Sequence, residues 1–150
     1  MSVIPTAFDI RALSSIDKQP WERLARGYKE FYQTPVTSEE LEAAWQRILQ
    51  QNGIHGLGLW HDGELIGIAH YLFHHSTWAP TVCYLQDMFV LPRHRGRGAG
   101  RALIEAVRGH ARSHGAARYY WLTQASNTQA RALYDTLAAF NGFIRYDCAL

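Results

Sequence analysis

No apolar stretch of about eighteen residues, the length a helix needs to cross a bilayer, occurs anywhere in this chain of 150. Its beginning carries no long apolar segment of the secretory kind, so neither membrane spanning nor export is expected. Cysteine is scarce as well. Cys83 and Cys148 are the two present, they lack metal-ligand spacing, and free thiols in a reducing cytoplasm are the expectation. Charge of one sign is also lacking: 15 lysines and arginines stand against 13 acidic residues, a net +2. Much of the basic character sits between residues 93 and 112, whereas a nucleic-acid binder usually shows a broader basic face, so no nucleic-acid partner is expected and a local anion site is. His70, His74 and His75 suggest a metal, but His70 and His74 would stand about 13 Å apart on a strand. No metal site is expected. Nor is there a repeat, a low-complexity segment or a linker. A chain of this length, 47% hydrophobic, reads as one domain, 1–150, able to bury a core without disulfides or metals.

What the chain does have is concentrated between Tyr84 and Arg112. Tyr84-Leu85-Gln86-Asp87-Met88-Phe89-Val90 is a short apolar run closed by Leu91-Pro92. Proline cannot extend a ladder, so the run predicts a buried strand. Leu103, Ile104, Val107 and Ala111 recur at three- and four-residue intervals, predicting a helix with one apolar stripe against a sheet. Between them lies Arg93-His94-Arg95-Gly96-Arg97-Gly98-Ala99-Gly100-Arg101. Glycines there let backbone N–H groups converge just before the positive end of a helix dipole, an arrangement that binds phosphate.

Two familiar phosphate motifs do not fit this loop. A Walker A loop ends in Gly-Lys-Ser/Thr, and here the chain reads Gly100-Arg101-Ala102, without the lysine or the magnesium hydroxyl. A dinucleotide fingerprint would place a third glycine where Arg101 stands and would follow a first strand. Arg95-x-x-Gly98-x-Gly100 does resemble the pyrophosphate loop of the GNAT superfamily of N-acetyltransferases. The resemblance extends to the strand before it and to Trp121-Leu-Thr-Gln-Ala-Ser-Asn127-x-x-Ala130-x-x-Leu133-Tyr134. It covers roughly Leu57 to Tyr146, and within the superfamily it is most similar to the histone-and-polyamine and spermidine/spermine acetyltransferase branch.

The elements read in order as follows. Ala7 to Leu13 is a first strand. A helix starts near Asp17 and Pro20, with Trp21, Leu24, Ala25, Tyr28, Phe31 and Tyr32 as its stripe, and stops before Thr34-Pro35. Thr37-Ser38-Glu39-Glu40 is a capping box opening a second helix with Leu41, Ala44, Trp45, Ile48 and Leu49 inside. Ile54 to Trp60 and Leu65 to His74 form a hairpin across Asp62-Gly63. After the long helix, Gly115 is a stop and Arg118 to Thr123 a strand. Ser126-Asn127-Thr128-Gln129 reads as a second capping box for a helix carrying Ala130, Leu133, Tyr134 and Leu137, and Phe143 to Cys148 as a last strand. The fold expected is α/β, a GNAT-type mixed sheet, mostly antiparallel, of about six strands flanked by four helices. GNAT proteins usually carry one more strand after the final helix. An edge left unpaired there, with the last strand exchanged or bare, points to a homodimer or higher oligomer.

The resemblance implies acetyl-CoA as cofactor and transfer of its acetyl group to a primary amine, on a polyamine-like small molecule or a protein lysine, by direct attack. A catalytically silent acyl-CoA-binding regulatory module is the alternative. By the same resemblance, Arg95, Gly96, Arg97, Gly98, Ala99, Gly100 and Arg101 hold the pyrophosphate, and the pantetheine arm runs beside Met88, Phe89 and Val90. Asn127 caps its helix or contacts that arm, with Ala130 close by, and Tyr134 protonates the leaving thiolate. Deprotonating a lysine-like ammonium at pH 7 costs about 4.6 kcal/mol, so a proton acceptor is needed. Asp87 interrupts an apolar strand, where a carboxylate is costly unless paired or functional. It reads as base or substrate contact, or as the partner of an arginine, while transfer through water would need no single base. The resembling polyamine enzymes have Glu-Asp where this chain has Gln86-Asp87. Tyr32, Trp78, Gln86 and Asp87 are the expected acceptor-site residues, with Tyr28 and Phe31 as further candidates for its wall.

Overall fold

In the computed structural model, which describes residues 7–150, one sheet carries the other elements. Its strands are β1 (Asp9–Ala12), β2 (Ile54–His61), β3 (Glu64–His74), β4 (Val82–Val90) and β5 (Tyr119–Trp121). They lie side by side in chain order, antiparallel except where β5 joins β4 in parallel. The helices are α1 (Lys18–Phe31), α2 (Ser38–Gln50), α3 (Ala99–Ser113) and α4 (Thr128–Leu137). On one face, Trp21 and Leu24 of α1 and Leu41, Trp45 and Ile48 of α2 bury themselves against Leu65, Ile68 and Phe89. On the other, Leu103, Ile104 and Val107 of α3 meet Leu57, Leu59, Ile66 and Leu85, with Leu133, Tyr134 and Leu137 of α4 packed alongside. Among the described residues no helix is long and apolar enough to cross a membrane.

Local chemistry sets the element ends. The Thr37 hydroxyl accepts from the Glu40 amide at 3.1 Å and the Glu40 carboxylate accepts from the Thr37 amide at 2.8 Å, which satisfies two donors that the first turn of α2 would leave bare. Asp62 and Gly63 both take positive φ, 50° and 79°, the combination a tight hairpin needs to match the strand twist. α4 opens differently from the expected Ser126–Gln129 box. A tight turn from Gln124 to Asn127 makes Asn127 the cap, and its side-chain oxygen accepts from the Ala130 amide at 3.4 Å.

One irregularity decides which way the site faces. His70 pairs with Asp87 but Tyr71 pairs with Leu85, so Gln86 is an extra residue in β4. Such a bulge reverses the alternation of side chains along a strand. Before it, Cys83 and Leu85 face α3; after it, Met88 and Val90 do. Asp87 and Phe89 therefore turn to the α1 side, although an unbroken strand would have put Asp87 among the α3 contacts.

The sheet has five strands rather than about six. Residues 138–150 form no ladder, and Phe143 to Cys148, expected as a strand, is irregular and exposed, with Phe143 at 82% and Tyr146 at 87%. A strand exists only with a partner, and β5, three residues long, is the last one the chain supplies. Leu103 is fully buried at the centre of the α3 layer. Replacing it with Ala is expected to lower unfolding free energy by about 2–5 kcal/mol, measured by urea titration; a loss under about 1 kcal/mol would remove the α3 stripe from the core.

Candidate active site

β4 and β5 pair through Leu85 and Trp121 and no further. Past that point the two parallel strands separate, and α3 begins just above the gap. The N–H groups from Gly96 through Arg101 donate to no acceptor among the described residues. Gly96 and Gly98 make this possible by taking φ of 79° and 88°. Open space surrounds both positions, so it is the backbone angle, not room, that calls for glycine. Gly100 instead sits 3.5 Å and 3.6 Å, measured from a notional Cβ, from Leu133 and Met88, where α3 meets α4 and β4. The result is a row of unsatisfied donors at the positive end of a helix, which suits a diphosphate.

The arginines of the loop divide their work. Arg95 folds back: its Nε donates to the Val90 carbonyl at 3.0 Å and its guanidinium lies 5.3 Å from the Phe89 ring and 5.6 Å from the Phe31 ring. Arg93 pairs with Glu64, and Arg101 donates to the Thr136 hydroxyl on α4 at 3.0 Å. Arg97 has no hydrogen-bond or ion-pair partner among the described residues. Of the expected diphosphate contacts, the amides and Arg97 are thus open, while the Arg95 side chain secures the end of β4.

On the α1–α2 side of β4 lies a cleft of about 540 Å³, with Tyr28, Lys29, Arg47, His70, Gln86 and Asp87 in its wall. Asp87 is partly buried, and its Oδ2 lies 3.0 Å from His70 Nδ1. Burial alone would raise its carboxyl. The hydrogen bond of His70, then the Tyr28 hydroxyl and Lys29, outweigh burial and leave it below the usual carboxylate range. Behind His70 the buried Trp21 donates its indole N–H to Nε2 at 2.9 Å. Tyr28 is pushed well above an ordinary phenol by burial and then by the Asp87 charge, and Tyr32 rises for the same two reasons. Among the described residues, no group of three His, Cys, Asp or Glu side chains could hold a metal ion.

Tyr134 stands across from these groups on α4, edge-on to Trp121 at 5.5 Å. Burial raises it, and Tyr32 adds to the rise; Tyr32 thus lies within electrostatic reach of both Asp87 and Tyr134. Asn127 caps α4 and donates to the Thr123 hydroxyl at 3.3 Å, so the cap also ties α4 to the chain leaving β5. Gln86 lines the cleft. Trp78 does not: it is 90% exposed and outside the lining, since the connection before β4 runs away over the surface. Phe31 lies beneath Arg95 rather than in the cleft wall.

Residues 21–140 match the model of the acetyltransferase (GNAT) family. The chain belongs to that family. It is an N-acetyltransferase, and the donor its family uses is acetyl-CoA. It is 31% identical over 137 residues, 86% of this chain and 83% of the relative, to the D-amino-acid N-acetyltransferase HPA3 of Saccharomyces cerevisiae. A thialysine N-epsilon-acetyltransferase of Caenorhabditis elegans is 28% identical over 70% of this chain and 63% of its own length. Among solved structures, AAC(6')-Iy in complex with the bisubstrate analog CoA-S-monomethyl-acetylneamine superimposes with a TM-score of 0.79 at 25% identity, covering 95% of this chain and 99% of that one. A ribosomal-protein-alanine N-acetyltransferase from Brucella melitensis biovar Abortus 2308 shares the fold with a TM-score of 0.80 at 21% identity, over 96% and 99% of the two chains.

Within this GNAT fold, the structure adds to the sequence-predicted set Trp21, which had read as one more core position of α1, and the pair Lys29 and Arg47. The partners Trp21 and His70 are 49 residues apart, and no local pattern announces such a contact. His70 carried a signal, a histidine in an apolar strand, but Trp21 on the helix above it did not.

Proposed function

We propose that this chain, as one acetyltransferase domain over residues 1–150, transfers the acetyl group of acetyl-CoA to the primary amine of a small molecule by direct attack. What carries the reading is the meeting of two openings on β4: the unfilled amides of Gly96 to Arg101 above its parting from β5, and the cleft walled by Asp87 on its α1 side. The amides and Arg97 hold the diphosphate, and the pantetheine arm lies along the free edge of Met88, Phe89 and Val90, near Asn127 and Ala130. The acceptor's ammonium docks against Asp87 and gives its proton to that carboxylate or to water beside it. The amine then attacks the thioester carbonyl, a C–N bond forms as the C–S bond breaks, the nitrogen gives its second proton to water or Asp87, and the thiolate takes the proton of Tyr134. A phenol raised above its ordinary value keeps its proton at neutral pH and so has one to give. Passing it to a thiolate near 8.5 runs uphill by about 2 kcal/mol or more, a modest part of a chemical barrier.

The charges of the cleft favour one kind of amine. Asp87 and Glu40 line the cleft together with Lys29 and Arg47, and the two cations have no ion-pair partner among the described residues. A polyamine or other polycation meets those cations, and Gln86 supplies no second acid beside Asp87. An amine that also bears a carboxylate, an amino acid, satisfies both signs. The names of two relatives, a D-amino-acid and a thialysine acetyltransferase, support the same class. A cytoplasmic location, where free thiols such as Cys83 and Cys148 persist, belongs to this reading.

Assembly is the second part of the proposal. Phe140, Phe143, Ile144 and Tyr146 are each at least 70% exposed, and the outer edge of β5 is unpaired. Exposed apolar side chains in the tail and an open strand edge suit pairing between two copies, giving a homodimer. Arg108, Arg112 and Arg118 line the groove beside β5 and Trp121, and Asp147 of the partner's tail is a matching charge.

Thiol release from acetyl-CoA over a panel of amines tests the activity. An amino acid is expected to exceed the same amine without its carboxylate at least tenfold in kcat/KM, and Tyr134→Phe to lower turnover at least tenfold while coenzyme A still binds. Gly98→Val, which forces a branched side chain to positive φ, is expected to weaken coenzyme A binding by calorimetry. A loop indifferent to millimolar coenzyme A would overturn the reading. Light scattering at micromolar concentration is expected to give a dimer that Ile144→Asp with Tyr146→Asp dissociates, and a monodisperse wild-type monomer would refute the assembly.

A further inference from the structure

His70 has both ring nitrogens spoken for. Indole N–H is only ever a donor, so the 2.9 Å contact from Trp21 makes Nε2 of His70 an acceptor. The ring's proton is then on Nδ1, which faces Asp87 Oδ2 at 3.0 Å. Putting a second proton on Nε2 would set two N–H groups against each other inside the core, where Trp21 is 2% exposed and His70 9%. The ring cannot turn over either, because the flipped orientation would break both contacts at once. Trp21 is held in turn by Trp45, whose ring centroid lies 5.0 Å away.

We propose that His70 is a positioning residue: Trp21 closes its Nε2 and fixes the Nδ1–H tautomer, whose one proton holds Asp87 ionised and aimed into the cleft at the acceptor's ammonium. This rests on the reading of the cleft as the acceptor site. The proton of the ammonium then has no resting place on His70, and it leaves by way of Asp87 or water to solvent. The nitrogen sheds two protons, one from the ammonium before attack and one as the amide forms. Both leave through the cleft by Asp87 or water, and one returns to Tyr134 from solvent after the thiolate has taken its own, for a net release of one.

Other groups face Asp87 too. Tyr28 and Lys29 approach from α1, Tyr32 from the end of α1 and Tyr84 from β4 itself. A carboxyl held low is charged above its own folded value and loses that charge only as pH falls through it. With the His70 bond removed, burial is opposed by Tyr28 and Lys29 alone, so the carboxyl rises and its charge is lost at a higher pH.

Two measurements test this. In ¹⁵N spectra of the cofactor-free protein at pH 8, His70 is expected to show Nε2 unprotonated and Nδ1 protonated; the opposite tautomer would overturn the lock, with no variant needed. In kcat/KM against pH, His70→Leu is expected to move the acidic limb upward, so that at pH 6 activity falls at least tenfold more than at pH 9. His70→Asn, whose amide N–H stands where Nδ1–H stood, should bring the limb back. Trp21→Phe, which frees Nε2, should let both tautomers of His70 appear in the ¹⁵N spectrum. A His70→Leu profile that matches wild type after scaling would overturn the positioning role. Asp87→Asn with unchanged kcat/KM would instead overturn the acceptor-site reading, and the nitrogen shifts would still report on the lock by themselves.

Discussion

Gln86 is one residue too many for the ladder between β3 and β4, and the facing of Asp87 depends on that surplus. Without it the carboxylate would point into the apolar layer under α3, among Leu103, Ile104 and Val107, where an unpaired charge costs several kcal/mol. With it, the same residue meets His70 and the cleft. The bulge lies one residue beyond the last pair of β4 and β5, Leu85 with Trp121. A single local irregularity thus turns the acid toward the acceptor side just where the two strands part to admit a cofactor arm.

The two halves of the reaction are held by different kinds of structure. The donor side is backbone: N–H groups at the start of α3, free because two glycines take left-handed angles, with the arginine side chains mostly engaged in bracing the loop. Arg95 is tied to Val90, Arg93 to Glu64 and Arg101 to Thr136. The acceptor side is side chains supported from behind, Asp87 by His70, His70 by Trp21, Trp21 by Trp45. Backbone recognition suits a cofactor shared by a family, because it tolerates variation elsewhere, and side-chain recognition suits an acceptor that differs from one member to another.

The cleft's mixed charges follow from its position between two helices rather than within one element. Lys29 and Arg47 come from α1 and α2, Gln86 and Asp87 from β4. Burial and the Asp87 charge raise Tyr28 and Tyr32, so these phenols stay neutral beside the carboxylate. The groups around Asp87 from α1 are therefore hydroxyls and one cation.

Periodicity and turn chemistry, both local in sequence, determined a good deal by themselves. The stripes of α1, α2 and α3, the Thr37–Glu40 box, the Asp62-Gly63 hairpin and the glycine loop before α3 all lie where the pattern of residues puts them, because the contacts involved span only a few positions. The loop together with Asn127-x-x-Ala130-x-x-Leu133-Tyr134 was enough to identify the family. The expected last strand failed for a physical reason: Phe143 to Cys148 has a strand's composition, but composition does not supply a neighbouring edge. Trp78, an aromatic in a polar connection, looked like a pocket wall and is on the surface. The tertiary structure alone decided the bulge at Gln86, the Trp21–His70–Asp87 chain and the gathering of cations and acids in one cleft. Each of these joins residues far apart in sequence, and their geometry is set by how the helices pack on the sheet.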